Sequence, residues 1–123
     1  MKRILLAEDE EVLRMLLVDM LEDEGFDIDE ATDGQEALEF LQSNQYDLVL
    51  LDYMMPVYTG LEIIEKLRSD DSTKDLKIMM LSAKSQQKEQ DAVLVAGADY
   101  FMAKPFSPLE LLAKIEGILN ENK

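Results

Sequence analysis

Short apolar runs alternate along the chain with segments in which apolar residues recur every three or four positions. The runs Arg3 to Ala7, Leu48 to Leu51 and Lys77 to Leu81 are nearly continuous in Ile, Leu, Val and Met, as strands covered on both faces should be. These three are expected to be central strands, and Asp27 to Ala31 and Tyr100 to Met102 complete a set of five. Between them the helical period predicts helices over roughly 10–24, 34–43, 60–68, 86–96 and 107–121. Gly25 can close the first in a left-handed cap, and Asp33, Ser85 and Ser107 can cap the second, fourth and last. Pro108 sits at a first-turn position, where its missing N–H costs nothing. No Pro/Gly/Ser-rich linker, repeat or low-complexity block interrupts the alternation. Five βα units in succession predict an α/β fold, a doubly wound five-stranded parallel sheet with helices on both faces, as one domain over 1–123. In such sheets ligands bind at the carboxyl ends of the strands, where strand order reverses. The residues to read are therefore Glu8-Asp9-Glu10, Asp52, Ser82 and Lys104.

Composition narrows the chemistry. A chain of 123 residues with 47% hydrophobic content can bury one core. No apolar stretch is long enough to span a membrane, and Glu8 interrupts the first apolar run before a signal-peptide core could form. A cytoplasmic protein without membrane insertion is expected. Cysteine and histidine are both absent, which excludes disulfides, Cys/His zinc sites, thiol nucleophiles and imidazole triads. The net charge of −15 would repel a polyphosphate backbone, so no direct nucleic-acid binding is expected. The charge is uneven: residues 1–52 carry 16 Asp or Glu against 3 bases, whereas residues 53–123 carry 11 against 9. That imbalance fits either a solvated surface or a bound cation or basic partner.

Glu8, Asp9 and Asp52 would converge at one edge of an apolar sheet, where repulsion and partial burial are costly unless a cation or protons neutralise them. Oxygen-only ligands suit Mg²⁺, with Mn²⁺ as a substitute, and water and a backbone carbonyl would complete the octahedron. The competing reading is an acidic helix start favoured by the helix dipole. That reading does not reach Asp52, a lone carboxylate at the end of Leu48-Val49-Leu50-Leu51. A carboxylate so placed can act as nucleophile on a phosphoryl group if a metal and a cation neutralise the phosphoryl oxygens. Lys104, between Ala103 and Pro105, supplies the cation; Ser82 offers a hydroxyl and Ala83 a backbone N–H.

The acidic pair after the first strand, Leu-Val-Leu-Leu-Asp in the third, Pro56 and Gly60 after it, Leu-Ser-Ala in the fourth, then Gly-Ala-Asp and Lys-Pro-Phe form an ordered set over nearly the whole chain. It resembles a response regulator receiver domain, similar to single-domain regulators of chemotaxis and sporulation relays. The resemblance implies a flavodoxin-like, or CheY-like, sheet of order 2-1-3-4-5 and a role in two-component or phosphorelay signalling. It further implies that Asp52 accepts a phosphoryl group from a histidine kinase or phosphotransfer protein. Glu8, Asp9, Asp52 and the Met54 carbonyl would hold Mg²⁺, Ser82 would bond the phosphoryl oxygen, and Lys104 would pair with its charge. A cis bond before Pro105 would aim Lys104. Such a domain is not an enzyme beyond its own phosphorylation and slow dephosphorylation.

Departures from the family pattern carry information. Glu8 stands where Asp is commoner, which lengthens its reach towards an indirect metal contact; Phe101, not tyrosine, stands at the switching aromatic position. Met54 and Lys84 occupy positions that tune dephosphorylation, and an apolar Met54 predicts slow hydrolysis. The first helix is too apolar for a single stripe, and by resemblance Leu13, Leu16 and Pro105 form the kinase-docking patch. Lys84, Lys88, Val93, Phe101 and Lys114 are expected on the face that reports phosphorylation to a downstream protein effector. Met15, Met20, Met79, Met80 and Met102 are expected as core filling. The unphosphorylated chain is expected to be monomeric. An aspartyl phosphatase would need a second acid at position 54, and a flavin-phosphate carrier would be repelled by Glu8 to Glu11. A protein-binding pseudo-receiver is disfavoured by the intact Asp9, Asp52, Ser82 and Lys104.

Overall fold

The computed structural model describes residues 2–83 and 87–120. Its elements run β1 Arg3–Ala7, α1 Glu11–Asp23, β2 Asp27–Ala31, α2 Gly34–Ser43, β3 Leu48–Asp52, α3 Gly60–Arg68, β4 Ile78–Ala83, α4 Gln87–Ala96, β5 Tyr100–Lys104 and α5 Pro108–Asn120. The five strands form one parallel sheet in the order β2-β1-β3-β4-β5, the expected doubly wound architecture.

Alternation along each strand feeds two separate cores, because successive side chains leave a strand on opposite faces. Leu5, Val49, Leu51, Ile78 and Met80 pack with Ala37, Leu41, Ile63, Ile64 and Val93 beneath α2, α3 and α4. Ile4, Leu6, Leu48, Leu50, Met79 and Leu81 pack with Leu17, Leu21, Leu111 and Ile115 beneath α1 and α5. Each fully buried Leu or Ile contributes roughly 1.5–3 kcal/mol relative to exposure, so the continuous runs of β1, β3 and β4 hold the domain together.

Helix ends follow local chemistry. After α1, Gly25 adopts φ +90°; its N–H donates to the Glu22 carbonyl and that of Phe26 to the Leu21 carbonyl. This is the paired C-terminal motif that favours glycine. The Asp33 side chain accepts from the Glu36 N–H at 2.8 Å, and that of Ser107 from the Glu110 N–H at 3.0 Å, both as expected. Thr59 and Glu62 form a reciprocal capping box at the start of α3 that the Thr-x-x-Glu spacing signals. The expected cap Ser85 lies outside the described residues.

Three strand ends differ from the sequence reading in a way that matters for function. β3, β4 and β5 run one or two residues further than their apolar runs, because Asp52 pairs with Leu81, Ser82 with Ala103 and Ala83 with Lys104 in the ladder. Backbone pairing does not require an apolar side chain. Asp52, Ser82 and Lys104 therefore belong to the rigid sheet rather than to loops after it.

Two surface assignments are corrected. Val93, expected on the exposed signalling face, is fully buried beneath α4, which turns Leu94 and Val95 outward instead. Met15, expected in the core, is exposed beside Val12 and Leu16, because Leu17, Val18 and Leu21 make up the buried stripe of α1. Met79 and Met80 are fully buried, and Met20 and Met102 are half-buried.

Candidate functional site

Four chain segments meet at the carboxyl end of the sheet. β1 delivers Glu8 and Asp9, β3 ends on Asp52, β4 carries Ser82 and β5 ends on Lys104. Among the described residues the buried polar or charged side chains are Glu8, Asp52 and Ser82, and all three lie here. Burying a charge without a partner is expensive, so the placement demands a compensating group.

Part of that compensation is Lys104. Its Nζ donates to Glu8 Oε1 at 2.7 Å and lies 3.4 Å from Asp52 Oδ1. Desolvation works against the ammonium, but the two carboxylates outweigh it and hold the Lys104 pKa above the ordinary lysine value. One lysine does not balance three acids. Burial first, and then the hydrogen bond and charge of Glu8, push the Asp52 carboxyl up to about 8, with Lys104 pulling the other way. The shift favours the neutral acid in the free site, and a cation there would work in the opposite direction.

Carboxylate oxygens of Glu8, Asp9 and Asp52 lie within 4.8 Å of one another. Asp9 is exposed while the other two are buried, so one side of the cluster opens to solvent. A chain with no cysteine or histidine offers only hard oxygen donors here, and such a set fits Mg²⁺ or another hard divalent ion.

The loop after Asp52 is shaped with equal care. The Tyr53 N–H donates to the Leu81 carbonyl and the Gly60 N–H to the Tyr53 carbonyl, both at 2.9 Å. The Pro56 carbonyl accepts from the N–H groups of Gly34 and Tyr58, each at 3.0 Å. The second bond closes a tight three-residue turn on Val57 at φ +76°, a strained conformation for a β-branched residue. At Gly34 a Cβ would stand 2.7 Å from the Tyr58 carbonyl oxygen, so glycine lets the loop press on the start of α2. Met54 turns its side chain to solvent between Tyr53 and the buried Met55.

The structure thus brings Glu8, Asp9, Asp52, Ser82 and Lys104 together. The Lys104–Pro105 bond is cis. Phe101 is half-buried against the core under α2, α3 and α4, next to Met80 in the ladder. Leu16 and Pro105 are exposed, whereas Leu13 is half-buried against the core under α1 and α5. Lys84 lies outside the described residues. Sequence reading missed Arg14, whose Nη1 donates to the Glu8 carbonyl at 3.0 Å; its one signal was a lone base among the acids of α1. The clefts of about 460 and 650 Å³ between the C-terminal ends of α2 and α3 contain none of these residues.

The sequence model of the response regulator receiver domain matches residues 4–116. The chain belongs to that family. It is 40% identical over 121 residues to the phosphate regulon transcriptional regulatory protein PhoB of Rhizobium meliloti, covering 98% of this chain and 53% of that protein. It is 38% identical over 120 residues to the transcriptional regulatory protein SrrA of Staphylococcus aureus, covering 98% and 48%. The chain therefore spans about half the length of the curated relatives it matches. Among solved structures, the chemotaxis response regulator CheY4 of Vibrio cholerae superposes with a TM-score of 0.90 at 30% identity, covering 96% of this chain and 98% of that one. A CheY-like receiver domain protein of Methanospirillum hungatei gives 0.91 at 30% identity, covering 98% and 95%. The receiver domain is a signalling domain of two-component systems, and this chain is one of them.

Proposed function

We propose that this receiver domain accepts a phosphoryl group on Asp52 in a Mg²⁺-dependent reaction with a histidine kinase or a histidine phosphotransfer protein. The observation that carries the reading is the buried Asp52 carboxylate, last residue of its strand, set between the Lys104 ammonium and the carboxylates of Glu8 and Asp9. Glu8, Asp9, Asp52 and the Met54 carbonyl would hold the ion, which when bound neutralises phosphoryl oxygens and lowers the repulsion that Asp52 must overcome. An Asp52 oxygen attacks phosphorus as the bond to the donor breaks. Lys104 leaves its contact with Asp52 to pair with the incoming charge, and the Ser82 hydroxyl donates to a phosphoryl oxygen.

Movement of Ser82 gives Phe101 room to turn inward, which biases the face of α4, β5 and α5 towards its phosphorylated form for a downstream protein effector. Mn²⁺ would substitute for Mg²⁺. The exposed Val12, Met15 and Leu16 of α1, with Pro105, form the surface on which the phosphodonor docks, and Leu13 supports it from beneath. Leu16→Glu should fold and slow transfer from the kinase while leaving small-molecule phosphorylation unchanged. Met54 cannot orient water, so the acyl phosphate hydrolyses slowly and Met54→Asn should speed its loss. The domain spans 1–123, acts in the cytoplasm as a monomer before phosphorylation, and touches neither nucleic acid nor membrane itself. Among the described residues no helix is long and apolar enough to cross a membrane.

Intact mass after treatment with acetyl phosphate tests the proposal. One added phosphoryl group is expected with Mg²⁺ and none with chelator or in Asp52→Ala. An adduct that persists in Asp52→Ala would overturn the assignment.

A further inference from the structure

Arg14 stands where two rules argue against a cation. It lies in the first turn of α1, where the helix dipole disfavours positive charge, and its side chain is only 13% exposed. Its contacts explain the position. Side chains on a helix lean towards its N-terminus, and Arg14 reaches back past the helix start. Nη1 donates to the main-chain carbonyl of Glu8 at 3.0 Å, and Nε donates to Glu30 Oε1 on β2 at 3.3 Å.

The carbonyl of Glu8 lies just beyond the end of β1. The Glu8 N–H still pairs with the Ala31 carbonyl at 3.1 Å, but the chain leaves the sheet there and enters α1 through Glu10, which makes no side-chain cap. The Glu8 carboxylate accepts the Glu10 N–H at 3.2 Å, and Arg14 adds a second tie on this stretch, holding the main-chain carbonyl between Glu8 and Asp9 from an anchor on the neighbouring strand. A guanidinium fork can hold two acceptors on two elements at once; a lysine ammonium, a point charge on a flexible stem, can balance charge but not set that geometry.

We propose that Arg14 is a positioning residue for the divalent-cation site: it holds the Glu8–Asp9 segment so that both carboxylates face Asp52. This rests on the cation reading given above and assigns a role to a residue that touches no proposed ligand atom. Positioning and simple charge balance predict opposite signs. Removing a positive charge near three carboxylates would by itself tighten Mg²⁺ binding, whereas losing the fixed main chain weakens it.

The test is calorimetric titration of MgCl₂ into wild type, Arg14→Lys and Arg14→Ala at constant ionic strength, with amide exchange of Asp9 and Glu10 measured in Mg²⁺-free protein. Positioning predicts that both variants lose about tenfold or more in Mg²⁺ affinity, and that both amides exchange faster even in the charge-conserving Arg14→Lys. Unchanged affinity in Arg14→Lys, or tighter binding in Arg14→Ala, would overturn it. Wild-type protein that takes up no Mg²⁺ would instead sink the cation reading, and this inference with it.

Discussion

The two ends of the sheet handle charge in opposite ways. At the amino-terminal end, Arg3 bridges Asp27 and Asp29 at 3.3 and 3.0 Å and lies over the Tyr46 ring, and the Tyr46 hydroxyl donates to Asp29 at 2.6 Å. Arg68 at the end of α3 donates to the carbonyls of Gly97, Lys74 and Leu76 and to the Asp99 carboxylate, which also accepts the Ile78 N–H. Each of these two guanidinium groups is shared among several acceptors. At the carboxyl end three acids face one lysine, and burial with the Glu8 charge raises the Asp52 pKa although Lys104 pulls it down. The first arrangement pairs its charges within the fold, while the second gathers acidic oxygens of the kind that a divalent cation takes.

Breaking the structural end should have the largest effect. Arg68→Ala leaves several carbonyls without their side-chain donor and the Asp99 carboxylate without its cation, and is expected to lose about 3 kcal/mol in urea unfolding. A loss below about 0.5 kcal/mol would mean that this network is no firmer than an ordinary surface ion pair. Asp52→Asn should act in the other direction. The folded-state pKa of Asp52 is raised to about 8 from an ordinary 3.8, so the wild type loses stability as pH rises between those values. The variant escapes this loss. In Mg²⁺-free buffer it should match wild type near pH 4 and exceed it by a margin that grows as pH rises towards 8. A pH-independent difference would contradict the assignment. The smallest effect is expected at Val57, where Val57→Gly removes the left-handed strain but loosens the unfolded chain; a net gain of about 0.5–1 kcal/mol in thermal unfolding is expected.

Most of the fold was legible in the sequence because burial on both faces leaves continuous apolar runs, as in Leu48-Val49-Leu50-Leu51. The strand ends were not, since Asp52, Ser82 and Lys104 extend their strands through pairing with neighbours distant in sequence. Val93, Leu94 and Val95 are consecutive and equally apolar, so their sequence does not say which one faces the sheet; packing places Val93 inside. The acids and the lysine of the site could be found by their position after apolar runs. Arg14 could not, because its role depends on a carbonyl six residues back and a glutamate on another strand.

The most direct test of the contrast is thermal unfolding of wild type and Asp52→Asn, each with and without saturating Mg²⁺ at pH 8. A carboxyl end completed by a cation predicts that Mg²⁺ raises the wild-type Tm by several degrees and that most of this increment vanishes in Asp52→Asn. An equal Mg²⁺ increment in the two proteins would show that the ion acts elsewhere and would contradict the account.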